Sequence, residues 1–286
     1  MAQARLPFMS ESETQDQCNI FLGLANNVLA QGSLLWREGE RTHETKTRLA
    51  DLLAANLAEL LELFAHVLCK KPFNRYTGDF HSFDFCCDVV LQGLDSIAPC
   101  LDSTMLQYQR VSQGFFNLLE IVMSSYPNKF AQLPQAQRKV FVEAVQFALG
   151  LSDPEVLTAA LQTIEHILSF HISCDGKSPF GAQCSILFAP LLGLAFSKLS
   201  SEQLVSVADA LFPLIYSDLQ AFHSAALQHV RQQQLTPSVS NDVLDAFRTL
   251  VSANDVMTAY SERNIAQFRA NLRAFVATTR CFVEQR

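Results

Sequence analysis

The chain has 286 residues, 49% hydrophobic and 17% charged, with 28 acidic residues against 21 basic ones for a formal net charge of −7. So apolar a chain is not a disordered one, and ten Gly with ten Pro are too few for an all-β fold rich in tight turns. The acidic balance argues against a grip on nucleic acid or on an anionic membrane surface, both of which need a basic face; a basic protein partner suits it better.

Residues 1–10 lack a continuous apolar core, so no signal peptide is expected. From there, apolar residues recur three to four apart almost throughout, which is the mark of helices, and no stretch alternates with period two over a strand's length. The spacing predicts helices near 12–30, 46–69, 83–99, 103–125, 134–150, 154–170, 182–197, 201–216, 218–233, 238–253 and 260–282. Leu49, Leu53, Leu57, Leu60, Phe64 and Leu68 show the pattern in the second of these.

Start signals are legible. Asp153-Pro154-Glu155 reads as an N-cap, Pro at the first helical position and an acid in the first turn. Thr236-Pro237 repeats the device, Ser200 with Gln203 makes a capping box, and Leu133-Pro134 opens a further helix. Segments 31–45, 70–82 and 173–181 are the least regular and read as loops within one array. Ser178–Ser197 carries one uncharged run, but its uninterrupted apolar part, Ile186–Phe196, contains Pro190 and falls short of the roughly 20 residues a spanning helix needs, so a buried helix and no membrane insertion are expected.

From residue 83 onward the predicted helices are short, similar in length and briefly connected. Consecutive helices therefore pack as antiparallel hairpins, with hairpin starts at the spacing of HEAT-type repeats. The expected fold is all-α, a HEAT-like helical-hairpin solenoid (an α-α superhelix) forming a single array over 1–286.

No chemistry stands out. Eight Cys include no Cys-x-x-Cys pair and read as reduced structural thiols. Asp175-Gly176-Lys177-Ser178 imitates the tail of a phosphate-binding loop, but the place of its first Gly holds His171. His43-Glu44 lacks the second His of a zinc protease, and His166 and His171 read as surface or loop residues. No Gly-x-Ser-x-Gly elbow occurs. The chain is expected to be no enzyme and to need no metal or cofactor.

The polar stripes of alternate helices are the candidate site. Arg110, Gln113, Asn117, Glu120 and Ser124 share one helix face; Glu155, Thr158, Gln162, Glu165 and Ser169 share another; Glu202, Ser206 and Asp209 follow; Ser238, Asp242, Asp245 and Thr249 complete the series. In a stacked array these second helices of each hairpin would line one concave surface. Glu120, Glu165, Asp209, Asp242 and Asp245 would then form an acidic ledge on which a basic protein could dock. The alternative is plain solvation, since any exposed face of an amphipathic helix is polar.

Asp88-Val-Val-Leu-Gln-Gly-Leu94, Pro99, Tyr126-Pro127, Gln132-Leu133-Pro134, Asp245-Ala-Phe-Arg-Thr-Leu250 and the closing positions Phe268, Leu272 and Phe275 resemble the C-terminal region of the exportin-4-like nuclear export receptors of the importin-β superfamily. The resemblance covers about residues 83–282 and rides on apolar positions with a few Pro and Gly. It implies a solenoid that binds protein cargo together with Ran in its GTP state, meets nuclear pore proteins and shuttles between nucleus and cytoplasm. Members of that family are several times longer, and much of their Ran contact lies in an N-terminal domain with no visible counterpart here, so no Ran-contacting residue carries over. A HEAT-type scaffold in another assembly, without Ran, is the alternative.

Overall fold

A computed structural model of the protein describes residues 19–20, 23–28, 30, 43–69, 81–233 and 236–283. Every regular element among them is a helix, and helices pack against their neighbours in sequence order, so the fold is all-α and solenoid-like. It divides into two units, Met1–Val122 and Met123–Arg286.

The first unit is built on α1 (His43–Cys69), which starts three residues earlier than expected and therefore takes in His43 and Glu44. It buries Leu53, Leu57, Leu61, Phe64 and Leu68 on one face. Two glycines let other helices come close to that face. A Cβ on Gly93 of α2 (His81–Ile97) would stand 2.4 Å from the tip of the Phe64 ring, and one on Gly114 of α3 (Gln109–Ser125) 3.2 Å from Leu61 Cβ. Residues 47–69 are long and apolar enough to cross a membrane, by length and composition. In this protein half of that stretch is buried, and its polar positions Asp51 and Glu62 bond to Tyr108 and Arg110.

A continuous helix over 103–125 is not what forms. The Asp102 carboxylate accepts from the backbone N–H of Thr104 and Met105, both at 2.9 Å, and caps a separate 3-10 turn at Met105–Gln107. Tyr108 is then extended (ψ 114°) and α3 starts at Gln109. An acid two or three residues before free N–H groups competes successfully with helix propagation.

In the second unit Pro127 opens an unanticipated short helix, α4 (Pro127–Gln132), before α5 (Gln135–Ala148), for which Pro134 is the N-cap residue. α6 (Pro154–Ser173) begins as expected, with the Asp153 carboxylate accepting from Glu155 N and Val156 N, and runs three residues further than the spacing predicts. The predicted helix 182–197 is broken into a helical turn (Gly181–Cys184), a 3-10 turn (Ser185–Leu187) and α7 (Phe188–Ala195). Pro190 falls in the first turn of α7, where a missing N–H costs nothing.

α8 (Ser201–Ser217) carries the complete capping box of Ser200 and Gln203. Asp218 caps α9 (Leu219–Gln232) through Ala221 N. α10 (Pro237–Ser252) has Pro237 at its first position, but the Thr236 hydroxyl makes no cap bond. Asn254 and Asp255, both at positive φ, turn the chain into α11 (Glu262–Val283). Asn271 of α11 holds that corner by donating to the Leu250 and Ala253 carbonyls at 3.3 and 3.1 Å, two acceptors left open at the end of α10.

Two rows of helices result. α8 packs between α6 and α11, and α9 packs between α7 and α10. Phenylalanines stitch the second row to α11: Phe188 of α7 meets Phe222 of α9, Phe222 meets Phe247 of α10, and Phe247 meets Phe275 of α11 with ring centres 4.7–6.2 Å apart. Each such buried ring contributes about 2–3 kcal/mol from burial.

Candidate functional site

The polar stripe of α6 holds Glu165 and Ser169, one turn apart and half-buried. On α8, the neighbouring helix of the row, Asp209, Phe212 and Tyr216 share a face at helical spacing. α11 and the residues before it close over both. Arg269 donates Nε to Asp209 Oδ1 at 2.6 Å and Nη2 to Oδ2 at 2.8 Å, a two-pronged bond between residues 60 apart in sequence. Tyr260 meets Ser169 hydroxyl to hydroxyl at 2.8 Å and lays its ring parallel to that of Phe212, centres 5.8 Å apart. Tyr216 packs on the same Tyr260 ring at 5.7 Å.

This seam brings two carboxylates to one guanidinium. Asp209 takes both prongs and is only 14% exposed, and its hydrogen bonds, then its charge, hold the Arg269 pKa above the ordinary value. Glu165 makes no hydrogen bond or ion pair among the described residues. Burial, and next the Asp209 charge, push its carboxyl pKa up, while His166 and Arg269 pull the other way. Burial also raises the Tyr260 hydroxyl, and both neighbouring carboxylates add to that. The seam is thus one negative charge in excess, held half out of water.

The expected ledge is only partly assembled. Glu165 and Asp209 stand on adjacent helices of one row. Asp242 and Asp245 do not join that row: they are exposed on α10, which packs on α9 and α11, and Asp245 is paired with Arg248 at 2.6 Å one turn along. Strict alternation fails because α9 and α10 both follow α8 in the second row, so that α11, not α10, is the next helix beside α8. Glu120 lies half-buried on α3 in the first unit. The residues missed are Arg269 and Tyr260. No local pattern marks either, since their partners are 60 and 91 residues away.

His171 is buried and not a surface residue: its Nδ1 lies 2.7 Å from Ser178 Oγ, and burial lowers its pKa against the opposing pull of the Ser178 backbone. Gly176 of the phosphate-loop imitation, at φ +72°, ends α6 instead, donating its N–H to the His171 carbonyl at 3.0 Å. His229 stacks on Phe196 at 4.8 Å, with its Nε2 buried and unpartnered and its pKa lowered by burial. Cys69, Cys86, Cys87, Cys100, Cys174 and Cys184 form no disulfide, and burial pushes Cys184 up to about 12. No group of three or more His, Cys, Asp or Glu side chains among the described residues could hold a metal ion.

The residues that carry the family resemblance are packing and boundary residues. Gly93 admits Phe64, Pro99 sits in a 3-10 turn, and Pro127 and Pro134 begin helices. Phe247, Phe268, Leu272 and Phe275 are buried. No protein-family model matches the chain, and no solved structure matches it.

Proposed function

We propose that this protein is a helical-hairpin scaffold that binds other proteins, serving as the C-terminal region of a nuclear export receptor that takes up a basic protein cargo together with Ran in its GTP state and moves between nucleus and cytoplasm. The observation that carries the reading is the α6–α8–α11 row. Three helices from separate parts of the chain pool their polar faces into one seam, and the seam sets two carboxylates against one guanidinium, with Glu165 half-buried and in no hydrogen bond or ion pair among the described residues. Repeated helices sharing a face suit the grip of an extended partner, and the excess charge suits a basic one. Receptor action would follow from reciprocal coupling, with cargo and Ran each favouring the same curvature of the helical array and so tightening the other's binding by one common factor.

The test is a calorimetric titration of the full chain with Ran loaded with a non-hydrolysable GTP analogue or with GDP, each with and without a basic candidate cargo. The expected result is binding of the GTP-analogue form alone, tightened by cargo and tightening cargo equally in return. Equal affinity for the two nucleotide states would sink the export reading. A second reading, a scaffold of another assembly without Ran, draws support from the packing role of Gly93, Pro127, Phe247 and Phe275. That role makes the likeness to export receptors one of architecture. It predicts a fixed set of partners insensitive to the nucleotide.

A further inference from the structure

Residues 174–180 leave the end of α6 and run to the helical turn at 181–184. At one end Cys174 N, Gly176 N and Lys177 N bond back to the carbonyls of Phe170, His171 and Cys174. At the other, Phe180 is fully buried, parallel to Phe130 at 5.7 Å and edge-on to Phe170. Between these anchors Asp175, Gly176, Lys177 and Pro179 are exposed, and Ser178 is half-buried with its hydroxyl on the imidazole of His171. The ring edge of His171 lies against Gly181, where a Cβ would stand 3.0 Å from Cε1, so backbone closes over the imidazole on that side. Ser178 is followed by Pro, and the only other Ser or Thr so placed in the sequence is Thr236.

We propose that Ser178 is a phosphorylation site for a proline-directed protein kinase, with the imidazole of His171 as the built-in receiver of the phosphate. The Ser178 oxygen attacks the γ-phosphorus of the kinase's Mg-ATP. The new O–P bond replaces the bond to the β-phosphate oxygen, ADP leaves, and the hydroxyl proton passes to the kinase's catalytic base. The product changes the partnership at Nδ1. The serine hydroxyl can donate to or accept from the ring, but a phosphate dianion can only accept. Nδ1 must therefore carry a hydrogen, and the adjacent dianion favours the imidazolium form. His171 is now kept neutral by burial; modification reverses that preference, with Lys177 the one other cation of the loop and Asp175 its one acid. A charge-assisted bond replaces a neutral one, so the exposed loop gains a fixed double negative charge without losing its tether to α6.

The test uses the full chain carrying Thr236→Ala, so that Ser178 is the one Ser-Pro or Thr-Pro site left. It is incubated with a proline-directed Ser/Thr kinase and Mg-ATP, and the product is mapped by mass spectrometry. The expected result is one phosphate on Ser178, absent in Ser178→Ala and in Pro179→Ala, both checked for unchanged helicity. In NMR titrations the His171 ring midpoint should lie below about 6.5 before modification and more than one pH unit higher after it, a shift lost in His171→Gln. No incorporation at Ser178 in the folded chain overturns the site. Incorporation with an unmoved His171 midpoint overturns its receiver.

Discussion

The two units hold their helices together with the same kinds of contact, buried to different depths. In the first, α1 meets α2 and α3 through glycine-cleared apolar surface, and its cross-helix polar bonds lie outside: Arg110 and Glu62 are 60% and 57% exposed in their 3.0 Å pair. In the second, the bond from α8 to α11 is sunk, with Asp209 at 14% exposure. An ion pair left in water is worth at most about 1 kcal/mol, because solvent serves either partner alone almost as well. A pair moved inward gains little as a pair, but losing one member strands the other. The first unit should therefore be sensitive to shape and indifferent to charge, and the second sensitive to both.

The largest effect that would break this contrast is at Gly93. Gly93→Ala pushes a methyl into the Phe64 ring, which is 1% exposed and has nowhere to retreat, so chemical denaturation should show a loss of about 1–3 kcal/mol. Phe64→Leu added to it should recover part of that loss, because the shorter side chain vacates the space.

Next comes Arg269→Met, which leaves Asp209 and Glu165 facing each other without their cation. A fully buried pair broken in this way loses about 3–5 kcal/mol. Arg269 is 39% exposed, so solvent screening reduces the expected loss to about 1–2 kcal/mol. Glu62→Ala in the first unit should change stability by less than about 0.5 kcal/mol; a loss equal to that of Arg269→Met would erase the distinction between the units.

A smaller effect of the opposite sign is expected at Glu165. Its folded pKa is raised above 4.5, so its favourable contribution is complete below that value and is lost as pH rises through the folded pKa. Glu165→Gln should match the native chain in thermal melts near pH 4 and exceed it at pH 7.5, by less than about 1 kcal/mol. His229 works in reverse. Its pKa is lowered from 6.5, so its contribution is intact above 6.5 and is lost as pH falls through the folded value. His229→Phe should flatten the melting profile between pH 7 and 5 and leave it unchanged at pH 8.

A last contrast lies in the caps, and Thr236 should show the smallest effect of all. Ser200→Ala should cost about 1 kcal/mol, and Thr236→Ala only a few tenths, because the Thr236 hydroxyl bonds no helical N–H.

Much of the fold was legible before any coordinates. Asp153, Ser200 and Pro237 each act on atoms one to three residues away, so a reader of the chain sees both partners at once. Asp102 and Pro127 act over equally short range, but they lie just outside the predicted helices 103–125 and 134–150, in connections where no apolar period marks a start. The acidic candidates fared unevenly for a different reason. Glu165 and Asp209 were paired by assuming that every second helix shares a face, and Asp242 and Asp245 were misplaced by the same assumption, because α9 and α10 enter the second row in succession.

What the chain determined by itself is therefore what its local spacing encodes: the all-α class, most helix starts and the apolar face of each helix. Which helices stand side by side was decided only in three dimensions. The place of α11 beside α8, the bond from Arg269 to Asp209 and the burial of His171 under its loop depend on groups many residues apart, or on which surface the backbone covers. Burial of an apolar stripe is non-directional and would accept several neighbours. The selection among them comes from ring contacts, glycine clearances and a two-pronged ion pair that exist only once the helices have met.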